Sequence, residues 1–389
     1  MPVGFRQGRF EDATRPNWDG SGPRPLTWAA WYPASDASTE RELVPDRQSE
    51  TWFSIGPAAR DAPIDMARRR YPIVMLSHGT GGAALHLEWL ARDLARRGFI
   101  AVGVNHHGNT TAEPYRAEGF LCWWERARDL TVLLDDIVAR GEFAERVDAD
   151  RTFVVGYSLG GCTAAALLGA ITQASRFQKS PANQDFGRGP REFPDLADHL
   201  PGLLENSATF RESWARMSNS YRDTRFKAAL LLAPGRSVHG FNEECLSSIE
   251  TPTRIVVGGS DFVAPAAIWL HQRLRTSTLE LLANEVGHYV FLPEAADAGR
   301  SAGPDICLDA PGVDRGAIHD HVATSAANLF LAGWDAWRAP AHHNGAALSP
   351  RALDSFEAND ATTMTTAINP ITSVQMALIS GFTPSRTSE

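Results

Sequence analysis

The sequence predicts an α/β fold: a central, mostly parallel β-sheet with helices on both faces and one inserted segment above it. Three observations predict it. Short, nearly continuous apolar runs, of the kind strands need when both faces are covered, alternate with stretches of helical apolar periodicity. The pentapeptide Gly156-Tyr157-Ser158-Leu159-Gly160 follows directly on the apolar run Thr152-Phe153-Val154-Val155 and precedes a small-residue apolar stretch, Cys162 to Leu168, a strand–turn–helix pattern. Two polar candidates, Asp261 and His288, each follow a later apolar run, at the sheet edge where open α/β folds build their sites.

Taken in chain order, Leu26 to Pro33 and Tyr71 to Ser77 read as strands, separated by a long polar excursion. After His78-Gly79-Thr80-Gly81-Gly82, an amphipathic helix runs from about Leu85 to Arg97 and is closed by Gly98. The strand Phe99 to Val104 then completes a βαβ unit. A helix from about Trp123 to Arg140, the elbow strand, and strands at Ala228 to Leu232 and Thr253 to Val257 continue the alternation. The stretch 171–225 breaks it with Pro, Gly, Asn and scattered aromatics such as Phe193, Phe210 and Trp214. It is too long for a simple connection and reads either as a cap over the site or as an excursion packed on the domain. Beyond Pro340 the chain turns Ala/Thr/Ser-rich and weakly periodic, so residues 1–340 are expected to form the catalytic unit and 341–389 a tail.

Composition narrows the function. The 389 residues carry 43% hydrophobic side chains, enough for a substantial core, and a net charge of −9. That charge, with no long Lys/Arg run, argues against nucleic acid or an anionic membrane as the main partner; Arg68-Arg69-Arg70 reads as a solvated loop. No 18-residue apolar stretch and no apolar leader are visible, so a cytoplasmic chain, or else an already mature secreted one, is expected. The four cysteines (Cys122, Cys162, Cys245, Cys307) contain no C-x-x-C pair. Buried thiols are the default, and a Cys245–Cys307 bridge stays open.

The chemistry comes from the polar candidates. A serine hydroxyl is a poor nucleophile near neutrality, so it needs an imidazole base and a carboxylate that fixes the imidazole's tautomer. Gly156, Gly160 and Gly161 give the room a sharp nucleophile turn requires, with Ser158 at its apex. Asp261, in Gly258-Gly259-Ser260-Asp261, and His288, in Val286-Gly287-His288, follow it in the order serine, acid, histidine. A tetrahedral oxyanion needs two backbone N–H donors, and Leu159 after the nucleophile and Thr80 in the early glycine-rich loop are the candidates. His319 and His321 compete for the base role but follow no strand, and at i, i+2 on a helix they point apart, so no metal is expected. His78, Trp89 and His106 are candidates to line the mouth of the pocket, against a bland reading as packing residues.

These motifs, together with Trp31-Tyr32-Pro33, Ser77-His78-Gly79, Asn105-His106-His107-Gly108, Glu125-Arg126-Ala127-Arg128-Asp129-Leu130 and Asp314 to His319, resemble those of α/β-hydrolases. More narrowly, they resemble the predicted dienelactone-hydrolase group related to platelet-activating-factor acetylhydrolases. The resemblance covers about residues 1–335 and implies an α/β-hydrolase fold, hydrolysis of a small-molecule carboxylic ester without cofactor, and Ser158, Asp261 and His288 as triad. Dienelactone hydrolases proper use a cysteine nucleophile where this chain has Ser158. Acyl transfer, lactone opening by the same triad, and a non-catalytic binding role are the competing readings.

Overall fold

The computed structural model describes residues 1–43, 52–141, 143–173, 175–176 and 189–338; the expected tail, 341–389, lies outside the described residues. Nine strands form one sheet: β1 (Val3–Pro16), β2 (Pro23–Pro33), β3 (Ala59–Arg60), β4 (Tyr71–Ser77), β5 (Ile100–Asn105), β6 (Val147–Tyr157), β7 (Phe226–Leu232), β8 (Thr253–Val257) and β9 (Ser277–Leu281). Their spatial order is β3-β1-β2-β5-β4-β6-β7-β8-β9. From β5 to β9 every neighbouring pair is parallel; β2 pairs antiparallel with both β5 and β1, and β3 joins β1 in parallel at the edge.

The central strands are apolar on both faces because both faces are covered. Every residue of β4 is buried, and so is every residue of β5 before Asn105. The coverings are α1 (Glu88–Arg96), α2 (Ala117–Leu121), α3 (Glu125–Ala139), α4 (Leu159–Leu168), α5 (Leu196–Asn206), α6 (Ala208–Ala215), α7 (Ala264–His271) and α8 (Arg315–Arg338). Helix α4 is buried on all sides, which suits its Gly-Gly-Cys-Thr-Ala-Ala-Ala sequence: small side chains let it lie close against β6 and β7. The expected helix at 85–97 is real but begins as a 3₁₀ turn at Ala84–Leu87, and a positive φ of 89° at Gly98 ends it.

Strand β1 was invisible to sequence periodicity. Its first three residues are buried, with Val3 and Phe5 in the core, and Arg6 to Glu11 alternate between half-buried and exposed; the strand also carries Arg6, Arg9, Asp12 and Arg15, and pairing with β2 holds it along its length. Two of these charges are buried for a reason. Arg15 bonds Asp12 (2.6 Å), Glu125 (3.0 Å) and Asp129 (2.7 Å), and Arg24 of β2 bonds Asp129 as well (2.9 Å). This network, closed by Arg216 and Ser213 on Glu125, ties β1 and β2 to α3 and α6. Removing one partner from such a buried set strands the other charges, at a cost of about 3–5 kcal/mol.

All four cysteines are unpaired thiols, Cys245 and Cys307 included. No described helix is long and apolar enough to cross a membrane.

Candidate active site

Ser158 stands between β6 and α4 with φ 53° and ψ −116°, a backbone conformation costly for a side chain larger than hydrogen. The turn is held from several sides. A β-carbon on Gly156 would stand 1.9 Å from Gly160 O, and one on Gly160 would stand 1.9 Å from Ser77 O, so both flanking positions admit only glycine. Ser158 N–H donates to Leu232 O (2.8 Å), while Gly161 N–H and Gly235 N–H donate to Ser158 O (2.9 Å each).

His288 and Asp261 reach the serine from neighbouring strand ends. The loop after β8 and the loop after β9 bond to each other, Gly259 N–H to Ala283 O (3.2 Å) and Ser260 N–H to Val286 O (3.0 Å). Gly258 and Gly259 permit that closeness, since a β-carbon on either would meet backbone of residues 283–286. His288 Nδ1 lies 3.0 and 2.9 Å from the two Asp261 carboxylate oxygens, and Nε2 lies 3.1 Å from Ser158 Oγ. A carboxylate only accepts, so Nδ1 carries the proton and Nε2 is left to accept from the serine hydroxyl. Asp261 Oδ1 also accepts from Val263 N–H (2.9 Å). The histidine and the acid are buried, and the serine is partly open.

The turn bearing His288 (His288–Phe291) is braced from behind. Tyr157 donates its hydroxyl to His288 O (3.2 Å), Trp89 Nε1–H donates to Phe291 O (3.0 Å), and His319 Nε2 donates to Val290 O (2.8 Å). Trp89 stacks on His319 with ring centroids 3.9 Å apart. Trp89 is therefore buried beneath the base rather than set at a pocket mouth, and His319 is a brace; His321, exposed, pairs with Glu280.

The glycine-rich loop passes beside the nucleophile: a β-carbon on Gly79 would lie 3.4 Å from Ser158 Cβ. Neither Thr80 N–H nor Leu159 N–H donates to a backbone acceptor among the described loop and cap hydrogen bonds. The peptide that presents Thr80 N–H is the one whose carbonyl belongs to Gly79, and that carbonyl accepts from His78 Nδ1–H (2.7 Å) and from Gly82 N–H (3.2 Å). His78 Nε2 accepts from His106 N–H (3.2 Å), which leaves Nδ1 as the donor. Burial, reinforced by Arg126 and His106, holds the His78 imidazole neutral well below the ordinary histidine range. His78 therefore fixes the plane of the Gly79–Thr80 peptide, and through it the direction of the Thr80 N–H.

A second serine–histidine–aspartate relay lies directly beneath. Ser77 Oγ is 2.9 Å from His106 Nε2, and His106 Nδ1 is 3.0 Å from Asp129 Oδ2. Burial decides between the two relays. Ser77, His106 and Asp129 are fully buried, and Arg126 donates to Ser77 Oγ (3.3 Å) and to His78 O. Burial drives the His106 pKa down to about 3, and Ser77 presents no surface to solvent. His78 and His106, expected at the pocket mouth, are instead fully buried beneath the glycine-rich loop. Arg126 and Asp129, on α3, were noticed in sequence only as part of a resemblance. Charged residues at i and i+3 on an otherwise apolar helix face are the signal that marks them.

Two further residues touch the site. Phe262, next to the acid, is 58% exposed with its ring 4.6 Å from that of His288. Glu192, between the undescribed part of the insertion and α5, reaches the glycine-rich loop: a β-carbon on Gly81 would meet its Cγ at 2.7 Å. Among the described residues no group of three His, Cys, Asp or Glu is arranged to hold a metal ion. A surface cleft lined by Arg69, Arg70, Glu145 and Arg146 lies at the opposite, N-terminal ends of β4 and β6.

The family model described as serine aminopeptidase, S33 matches residues 69–180, the span from β4 through the elbow and α4. Among solved structures, a ferulic acid esterase from Streptomyces cinnamoneus aligns with a TM-score of 0.55 and 19% identity, over 85% of this chain and 89% of that one. A zinc-bound cold-adapted esterase from an Arctic intertidal metagenomic library aligns with a TM-score of 0.38 and 13% identity, over 78% and 91%. With the strand order and the elbow, the match to the family model and the first of these structures define an α/β-hydrolase fold.

Proposed function

We propose that the chain is a serine carboxylic-ester hydrolase acting on small to medium esters, aromatic ones among them. The observation that supports this most is the continuous contact from Asp261 through His288 to a partly open Ser158. In this reading His288 Nε2 takes the proton of Ser158 as Oγ attacks the ester carbonyl. The Thr80 and Leu159 amides receive the developing oxyanion, and His288 then protonates the departing alcohol. Water, deprotonated by the same imidazole, clears the acyl-Ser158. Asp261 keeps Nδ1 protonated and stabilises the imidazolium. The exposed Phe262 ring beside His288 favours an apolar or aromatic group. The described part of the insertion, with α5 and α6 packed on α2 and α3, acts as one side of a cap, and residues 1–340 form the catalytic unit. The dienelactone-hydrolase and acetylhydrolase likeness belongs to this proposal too.

Hydrolysis of p-nitrophenyl esters from acetate to decanoate, beside fluorophosphonate labelling of wild type and Ser158→Ala, tests it. Turnover and labelling should both vanish in the variant. Labelling of Ser77, or turnover that survives the substitution, would sink the assignment.

A further inference from the structure

Glu192 is placed where no step of ester hydrolysis needs a carboxylate. Its side chain packs on Gly81 of the oxyanion loop, the Cγ and Cβ 2.7 and 3.0 Å from where a β-carbon would stand. The same point lies 2.9 Å from the Tyr115 hydroxyl, which is itself committed to Gly81 O (2.7 Å). The neighbouring Arg191 turns outward to pair with Asp305. The carboxylate is partly buried, within electrostatic range of His288, Tyr157 and Tyr289, and among the described residues its one hydrogen-bond donor is its own backbone amide. The hydroxyls of Tyr115, Tyr157 and Tyr289 lie within electrostatic range of it, and the neighbouring Phe193 packs on Phe120.

We infer that Glu192 forms a subsite for a hydrogen-bond donor carried by the substrate, an ammonium or hydroxyl group at the end of a chain whose ester sits at Ser158. A carboxylate held against backbone and short of donors is stabilised when a substrate brings the missing donor. The negative charge of the carboxylate favours the cationic form of that donor further. Burial pushes the Glu192 carboxyl upward and its own amide, Arg191 and His288 pull it back, as fits a site whose counter-charge arrives with the ligand. A substrate ending in a carboxylate meets repulsion instead. The inference rests on the ester-hydrolase reading for its location and extends it to substrate class.

Two matched sets of hexanoate-length esters test it, one carrying a terminal methyl, hydroxyl, ammonium or carboxylate on the acyl side, the other on the alcohol side. The readout is the ratio of kcat/KM to that of the methyl-terminated ester, which a general loss of activity does not move. In one of the two sets, wild type should favour the ammonium ester about tenfold and disfavour the carboxylate, and Glu192→Gln should bring both ratios to within about twofold of one. A hydroxyl preference without an ammonium preference would assign the subsite to a neutral donor. Ratios unchanged by Glu192→Gln in both sets would overturn the inference, as would an equal fall for every ester, which would make the carboxylate a partner of His288 alone. Should no ester turn over, calorimetric binding of hexylammonium decides without catalysis: tighter binding to wild type than to Glu192→Gln upholds the subsite, and equal binding or none removes it.

Discussion

At the scale of single residues, the site's chemistry follows from which hydrogen-bond acceptors are already occupied. Asp261 can only accept, so His288 is left with one basic nitrogen, and that nitrogen faces Ser158. Asp261→Asn would offer an amide donor that competes for Nδ1 and favours the wrong tautomer. We predict a loss in kcat on the order of 10³–10⁴, read by steady-state ester hydrolysis, and a change under about threefold would remove Asp261 from the relay. His78 acts one step back, through the Gly79 carbonyl. His78→Phe should leave KM within about threefold while kcat falls on the order of tenfold or more, because a misdirected Thr80 amide weakens the transition state and not the bound ester. A fall in affinity with kcat preserved would show that His78 meets the substrate instead.

At the scale of elements, close approaches set the geometry: β6 against α4, and the β8 loop against the β9 loop. Gly160→Ala would push a methyl into Ser77 O, a backbone atom that cannot move without shifting β4. We predict at least about 3 kcal/mol of destabilisation in urea unfolding. A variant as stable as wild type would mean that the elbow relaxes more freely than its contacts allow. These elements were legible in sequence where local rules govern them. The β-branched run before Ser158, the glycines around it and the apolar runs before Asp261 and His288 each announce a strand end and a turn. What stayed hidden depends on long-range partners. The buried charges of β1 carry no local signal, because Glu125 and Asp129, which supply their counter-charges, lie more than a hundred residues away. Trp89 and His319 gave no sign of bracing the His288 turn, because a tryptophan and a histidine on two helices carry no local signal of stacking. Glu192, in a stretch without periodicity, looked like any loop carboxylate.

At the scale of the whole molecule, the buried histidines make the fold acid-labile. Burial lowers the His106 pKa to about 3 and the His319 pKa to about 4, against 6.5 for a free imidazole. A depressed folded-state value means that the unfolded chain binds its proton first. The stabilisation is complete above about pH 6.5 and is lost as pH falls from there toward the folded values. Each histidine contributes a slope of about 1.4 kcal/mol per pH unit, so the two together should remove about 4 kcal/mol by about pH 5. Asp129, held well below the usual carboxylate range by Arg24 and Arg15 against its burial, adds a further loss only below about pH 4. Urea midpoints that stay level from neutrality to about pH 5 would contradict the neutral, buried placement of these imidazoles. If Ser158 carries the acyl group, pre-steady-state hydrolysis of a p-nitrophenyl ester followed by intact-mass detection should give a burst approaching one p-nitrophenolate per chain and an acyl adduct that maps to Ser158 and is absent from Ser158→Ala. An adduct on any other residue, or unchanged turnover in Ser158→Ala, would contradict it.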